Sequence, residues 1–199
     1  IDETTIIIES DWSSASYYYS LVALSEIGAK VILSSYKKDS LQGDSCLAEI
    51  YNTFGVSTKF FDNSIVLEKV EISETEAIEL NLKHAPDIAQ TIAVTCFGLG
   101  LACNIIGLHT LKIKETDRLV ALKNELQKLG ADVEVTDKSL HLKESGSINK
   151  DISIETYNDH RMAMAFAPLA LKVPIIIEDA DVVTKSYISY WEDLEACML

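Results

Sequence analysis

The stretch ELQKLGADVEV, Glu125 to Val135, reads as the end of a helix, a glycine and the start of a strand. Leu126 and Leu129 recur at helical spacing, and Gly130 fits the position after a helix where the backbone turns left-handed. Ala131, Val133 and Val135 then alternate with Asp132 and Glu134, the period of a strand. The same order occurs upstream in IYNTFGVSTKF, Ile50 to Phe60, with Gly55 in the place of Gly130. A helix that ends on glycine and runs straight into a strand, twice in one chain, points to a repeated unit.

Around these glycines, the first unit reads as strand TTIIIE (Thr4–Glu9), a helix from about Trp12 to Ile27, and strand AKVILSS (Ala29–Ser35). A helix from about Gln42 to Phe54 follows, then strands VSTKFF (Val56–Phe61) and SIVLEK (Ser64–Lys69). This β-α-β-α-β-β order returns as strand AIELNL (Ala77–Leu82), a helix from about Asp87, strand ACNIIGL (Ala102–Leu108) and a helix within LKIKETDRLVALKNEL (Leu111–Leu126). Strands ADVEVTD and SLHLKES close that unit. A third pass runs through strand DISIET (Asp151–Thr156), a helix from about Asp159, strand PIIIED (Pro174–Asp179) and a helix from about Ser186 to Cys197. It lacks the final β-hairpin. The period is roughly 70–75 residues, which divides the chain into units of about residues 1–72, 73–146 and 147–199. Such repeats stack around a shared core, so the expected fold is one α/β domain whose incomplete third unit is finished by something outside this chain.

The chain has 199 residues, 48% of them hydrophobic and 24% charged, the range of an ordinary globular protein. Its net charge of −14 argues against nucleic acid or an acidic membrane as partner, since both need a basic surface. Of 17 basic residues, only Arg118 and Arg161 are arginine, the side chain with a rigid fork for carboxylate or phosphate. Cys46, Cys96, Cys103 and Cys197 have no C-x-x-C spacing and read as thiols in a reducing compartment. No secretory leader is read at the start, and the expected location is the cytoplasm. The uncharged run Gln90–Thr110 is broken by Gly98-Leu99-Gly100 and reads as a buried helix then a buried strand, not a membrane span.

Four charged segments stand out. In KIKETDR, five of seven residues are charged: Lys112, Lys114, Glu115, Asp117 and Arg118. Advancing about 100° per residue from Lys114 puts Glu115 within the stripe of Leu119, Leu122, Leu126 and Leu129, Arg118 near its edge and Asp117 off it. Glu115 and Arg118 would then face inward, and a carboxylate against apolar neighbours has a raised pKa suited to proton transfer. The plainer alternative is a structural Glu115–Arg118 pair at i, i+3, worth about 0.2–0.5 kcal/mol.

In YNDHRMAMAFAPLAL, Asn158 or Asp159 caps a helix that Pro168 should kink or shorten. His160 and Arg161 fall in its first turn. His160 has the plain alternative of a cap or core histidine, but a cation at Arg161 opposes the helix dipole and would be eased by an anion. In HAPDIAQTIA, Pro86 starts a helix, and Asp87 is either an early-helix acid or part of a site. Lys185 precedes the last helix and matches Lys114 by repeat position, as Asp159 matches Asp87. The repeats thus aim Lys114, Arg118, Arg161 and Lys185 toward one face, a cationic cluster that calls for an anionic ligand.

KETDRL and YNDHRMAMAF, preceded by SDWSSASYYYS, SLQGD and HAPDIAQTIA and followed by TKSYISYW, closely resemble the 5-enolpyruvylshikimate-3-phosphate synthase family, in family order and over essentially the whole chain. The resemblance implies one domain of an inside-out α/β barrel: the C-terminal half of a two-domain enzyme, with the N-terminal domain absent and the third unit completed by the start of the full chain. It implies transfer of the enolpyruvyl group of phosphoenolpyruvate to the 5-hydroxyl of shikimate 3-phosphate, without metal or redox cofactor, and no activity for this half alone. By the same resemblance, Asp87 is a carboxylate at the shikimate hydroxyls and a proton acceptor. Lys114 contacts the reacting groups, and Glu115 is the acid and base for the methylene carbon. Arg118 and Arg161 hold the carboxylate and phosphate of phosphoenolpyruvate, Lys185 adds a phosphate contact, and His160 stands beside them. Two positions depart from the pattern: Thr110 where Asn or Ser is common, and Ser10 where Gly is usual.

Overall fold

The computed structural model describes residues 8–72, 75 and 77–198. The expected strand Thr4–Glu9 lies outside that description for residues 4–7. The two glycines that revealed the repeat are both left-handed, φ 77° at Gly55 and φ 99° at Gly130. Each ends a helix and leads into a strand: α2 (Leu47–Asn52) into β2 (Val56–Phe61), and α4 (Arg118–Lys128) into β6 (Val133–Val135).

The second unit is the most complete. It consists of β4 (Ala77–Asn81), α3 (Ala89–Leu99), β5 (Ala102–Ile106), α4, β6 and β7 (Ser139–Leu142). Its sheet runs β4-β5-β7-β6, with β4 and β5 parallel around the α3 crossover and the β6/β7 hairpin antiparallel. The first unit has α1 (Trp12–Leu24), β1 (Lys30–Ser34), α2, β2 and β3 (Ser64–Lys69), in the sheet β1-β3-β2. The third has β8 (Ile152–Ile154) parallel to β9 (Ile175–Ile177) around α5 (His160–Phe166), then α6 (Tyr190–Met198). Its sheet has two strands among the described residues, as the missing hairpin anticipates.

α1 and α3 lie inside and the sheets outside, while α6 is mostly exposed. α1 buries every residue except Ser14, and α3 buries Ala89 through Phe97. These two helices pack on each other and on α5. The strands turn Ile32, Ile106 and Ile176 to solvent. A helix buried on all sides cannot carry solvated charges, and α1 and α3 have none. One hydrophobic cluster runs from Trp12 to Leu194 through all three units.

Several boundaries differ from the sequence expectation, mostly at helix starts. The helices expected from Gln42 and Asp87 begin as 3-10 turns, Gly43–Cys46 and Pro86–Ile88. The first helix stops at Leu24, where Ser25 turns its hydroxyl back onto the Leu21 carbonyl oxygen. α6 starts at Tyr190, not Ser186. Pro168 acts as expected: α5 ends at Phe166 and continues as a 3-10 turn, Ala167–Leu171.

Candidate functional site

The starts of α3, α4 and α5 meet, and each delivers charged side chains. Asp87 comes from the 3-10 turn before α3. Lys114 and Glu115 come from the bend between a second 3-10 turn, His109–Ile113, and α4. Arg118 is the first residue of α4, and His160 and Arg161 are the first of α5.

Arg118 is the hub, with 1% exposure. Its Nε donates to Asp159 Oδ2 at 2.6 Å, its Nη1 to Asp87 Oδ1 at 3.0 Å and its Nη2 to Glu115 Oε2 at 2.7 Å. Asp87 in turn gathers cations. Lys114 Nζ lies 3.2 Å from its Oδ1, and Arg161 Nη2 donates to its Oδ2 at 3.4 Å. Burial pushes the Asp87 carboxyl up, but Arg161, Lys114 and Arg118 together outweigh it and hold the group below its ordinary value. Asp87 is therefore a firmly ionised carboxylate and a strong hydrogen-bond acceptor.

Glu115 does not sit where helical spacing would put it. α4 begins only at Arg118, with Asp117 as N-cap accepting from the Val120 N–H, so residues 114–117 do not continue the helical turn. Glu115 is exposed, and the apolar surroundings expected for its carboxylate are not there. Asp117, off the apolar stripe, is the cap of α4. The plain i, i+3 Glu115–Arg118 pair exists, embedded in a larger network. A second correction concerns charge: the cations meet the chain's own Asp87, Glu115 and Asp159, so an incoming anion must compete with these carboxylates.

Asp159 has two jobs. It caps α5 by accepting the Arg161 N–H at 2.9 Å, and it holds Arg118 from a fully buried position. Sequence reading found the cap alone, because the partner lies 41 residues away. His160 Nδ1 is buried, has no hydrogen-bond partner among the described residues and lies 4.0 Å from Glu115 Oε1. Burial lowers the His160 pKa, opposed by Asp159 and Glu115, which favours the neutral ring. Glu115, Asp159 and His160 bring ligand atoms within 4.8 Å of one another, but Arg118 already occupies both carboxylates, so a metal ion there would face a guanidinium.

Lys185 does not reach Asp87. It donates to the Asn158 carbonyl oxygen and Oδ1, both at 2.7 Å, beside the Asp159 cap. Behind Arg161, burial pushes the Tyr17 hydroxyl up to about 12, partly opposed by Arg161. Thr110 Oγ1 is buried without a partner among the described residues, four positions before Lys114. Asp44, from SLQGD, accepts a short hydrogen bond from the Ser13 hydroxyl, and burial raises its pKa. Tyr17 and Asp44 carried no signal in the sequence beyond the motifs that contain them.

None of the described helices is long and apolar enough to cross a membrane. All four cysteines are free thiols.

The family model described as EPSP synthase (3-phosphoshikimate 1-carboxyvinyltransferase) matches residues 1–194. A 3-phosphoshikimate 1-carboxyvinyltransferase of Bacteroides fragilis is 43% identical over 190 residues, 94% of this chain and 46% of the relative. One from Haemophilus influenzae is 34% identical over 202 residues, covering 100% of this chain and 45% of the relative. The chain thus spans about half the length of the curated relatives it matches. In fold it is similar to a solved EPSP synthase from Acinetobacter baumannii, with a TM-score of 0.77 and 20% identity over 96% of this chain and 46% of that one.

Proposed function

The chain belongs to the EPSP synthase (3-phosphoshikimate 1-carboxyvinyltransferase) family, and on that premise we propose that it is the C-terminal domain of an enzyme that transfers an enolpyruvyl group from phosphoenolpyruvate to the 5-hydroxyl of shikimate 3-phosphate. The observation that carries this is the meeting of Lys114, Arg118 and Arg161 on one carboxylate, Asp87, with Glu115 exposed beside them. The substrates bear two phosphates and two carboxylates, which suits a cationic cluster that can trade internal carboxylates for external ones.

The chemistry divides among the residues as follows. The 5-hydroxyl adds to C2 of phosphoenolpyruvate, and Asp87 takes its proton. Glu115 protonates the methylene carbon, making a methyl group. In the second step the methyl group returns a proton to Glu115, the double bond re-forms and phosphate leaves. Lys114 contacts the reacting oxygens. Arg118, Arg161 and Lys185 hold the phosphoenolpyruvate carboxylate and phosphate, with His160 alongside. An anion that draws Arg161 and Lys114 off Asp87 would also raise the basicity of Asp87, coupling substrate binding to proton acceptance. The reaction needs no metal or redox cofactor.

A separate N-terminal domain would supply the rest of the substrate contacts, and the start of the full chain would complete the β8–β9 sheet. The half represented by these 199 residues would be inactive alone. Four free thiols suit a reducing compartment, and we place the enzyme in the cytoplasm. The test is to join the chain to its N-terminal half and measure phosphate release with both substrates. Release that requires both substrates and both halves supports the proposal. No release from the joined protein contradicts it.

A further inference from the structure

We propose that Glu125 and Tyr157 are positioning residues, which fix the register of residues 155–159 against α4 so that Asp159 meets Arg118. As a statement about catalysis this rests on the function proposed above. As a statement about geometry it does not.

Glu125 is a carboxylate with 0% exposure, two turns along α4 from Arg118. Its Oε1 accepts the Tyr157 hydroxyl at 2.8 Å. Its Oε2 accepts the Glu155 N–H at 3.1 Å and Lys128 Nζ at 2.8 Å. One helix therefore grips alternate residues of one segment: Glu125 holds positions 155 and 157, and Arg118 holds position 159.

The segment needs gripping. Tyr157 and Asn158 are consecutive non-glycine residues in the left-handed region, φ 53° and φ 56°. Such residues persist only where their surroundings over-determine them. Here Tyr157 is tied to Glu125, and Asn158 to Lys185 through both its carbonyl and its side-chain oxygen. The next residue, Asp159, returns to φ −115° and caps α5. If the Tyr157 tie is lost, the pair can relax toward right-handed φ. That would swing Asp159 away from Arg118 and move the helix start that carries His160 and Arg161. None of the proposed chemical steps uses Glu125 or Tyr157 directly, and the 32 positions between them in sequence hide the link.

The test compares Tyr157→Phe, Glu125→Ala and the double variant in the full-length protein. Tyr157→Phe removes a single oxygen and keeps the ring. Amide exchange at Arg161, whose N–H is held by Asp159, is expected to quicken about tenfold in each single variant, while α3 amides keep their protection. KM for phosphoenolpyruvate is expected to rise about tenfold with kcat within about twofold, and the double variant should be no worse than Glu125→Ala alone. A merely structural role would lower the melting temperature and leave KM unchanged. Unchanged Arg161 exchange, an unchanged KM, or effects that multiply in the double variant would each overturn the proposal. A wild-type protein without turnover would count against the proposed function, while the exchange measurement would still decide the positioning.

Discussion

Arg118 Nε and Asp159 Oδ2 lie 2.6 Å apart with both side chains sealed from solvent. A pair this deep is a commitment of the fold, because either partner left alone would be an uncompensated buried charge. It also ties the first residue of α4 to the cap of α5, so two of the three helix starts at the site are locked together.

Replacing Arg118 should therefore be felt as a loss of stability as well as of ligand binding. Arg118→Ala leaves Asp159 buried without its guanidinium, and the expected cost is roughly 3–5 kcal/mol in urea unfolding. Arg118→Lys restores a charge but not the fork that reaches Asp159, Asp87 and Glu115 together, so it should recover only part of the loss. A change below about 1 kcal/mol for Arg118→Ala would show that the network is incidental.

Asp87 gives a dependence on acid. Its folded pKa lies below the ordinary 3.8, so its contribution is fully present above that value and is lost as pH falls through the folded pKa. Asp87→Asn should be less stable than wild type at neutral pH, and the gap should narrow below pH 3.8. Urea unfolding across that range reads it directly. A gap that stays constant with pH would mean the cations do not act through the Asp87 charge.

The paired glycines should not be equally sensitive. Each needs a left-handed backbone, but a Cβ on Gly55 would stand 2.1 Å from the Glu71 carbonyl oxygen, whereas on Gly130 its nearest contact is Asn149 Nδ2 at 3.2 Å. Gly130→Ala should cost about 1–2 kcal/mol, the conformational penalty alone. Gly55→Ala should cost more, about 3 kcal/mol, because backbone must also move. Equal melting temperatures for the two variants would contradict the assigned contacts.

How much of this the sequence could tell differs between strands and helix starts. β2 and β3 fall where alternation and apolar runs placed them, because their registers follow from which side chains face the core. Gly55 and Gly130 were legible because only a left-handed turn asks for glycine between a helix and a strand. The approach to α4 was not. Helical periodicity runs back through Lys114–Asp117 in the sequence, but Asp117 caps the helix there, and ion pairs to Asp87 and Arg118 set the positions of Lys114 and Glu115. Arg118 reaches Asp87 and Asp159 across 31 and 41 positions, so no local window contains both partners of those pairs. The motifs carried the residue types of the site. Helical spacing turned Arg118 inward, as the structure has it, but nothing in the sequence showed that Asp159 holds it.

Under the proposed function, Asp87, Glu115 and their cations form half of an enolpyruvyl transfer site, with Glu115 moving the proton at carbon. The most direct measurement is the rate of phosphate release by the full-length protein carrying Glu115→Gln, beside wild type. Glu115 is exposed, so the variant should fold normally, and turnover should fall by about 100-fold or more, the loss expected when a positioned acid is removed. Wild-type turnover in a correctly folded Glu115→Gln protein would contradict the claim.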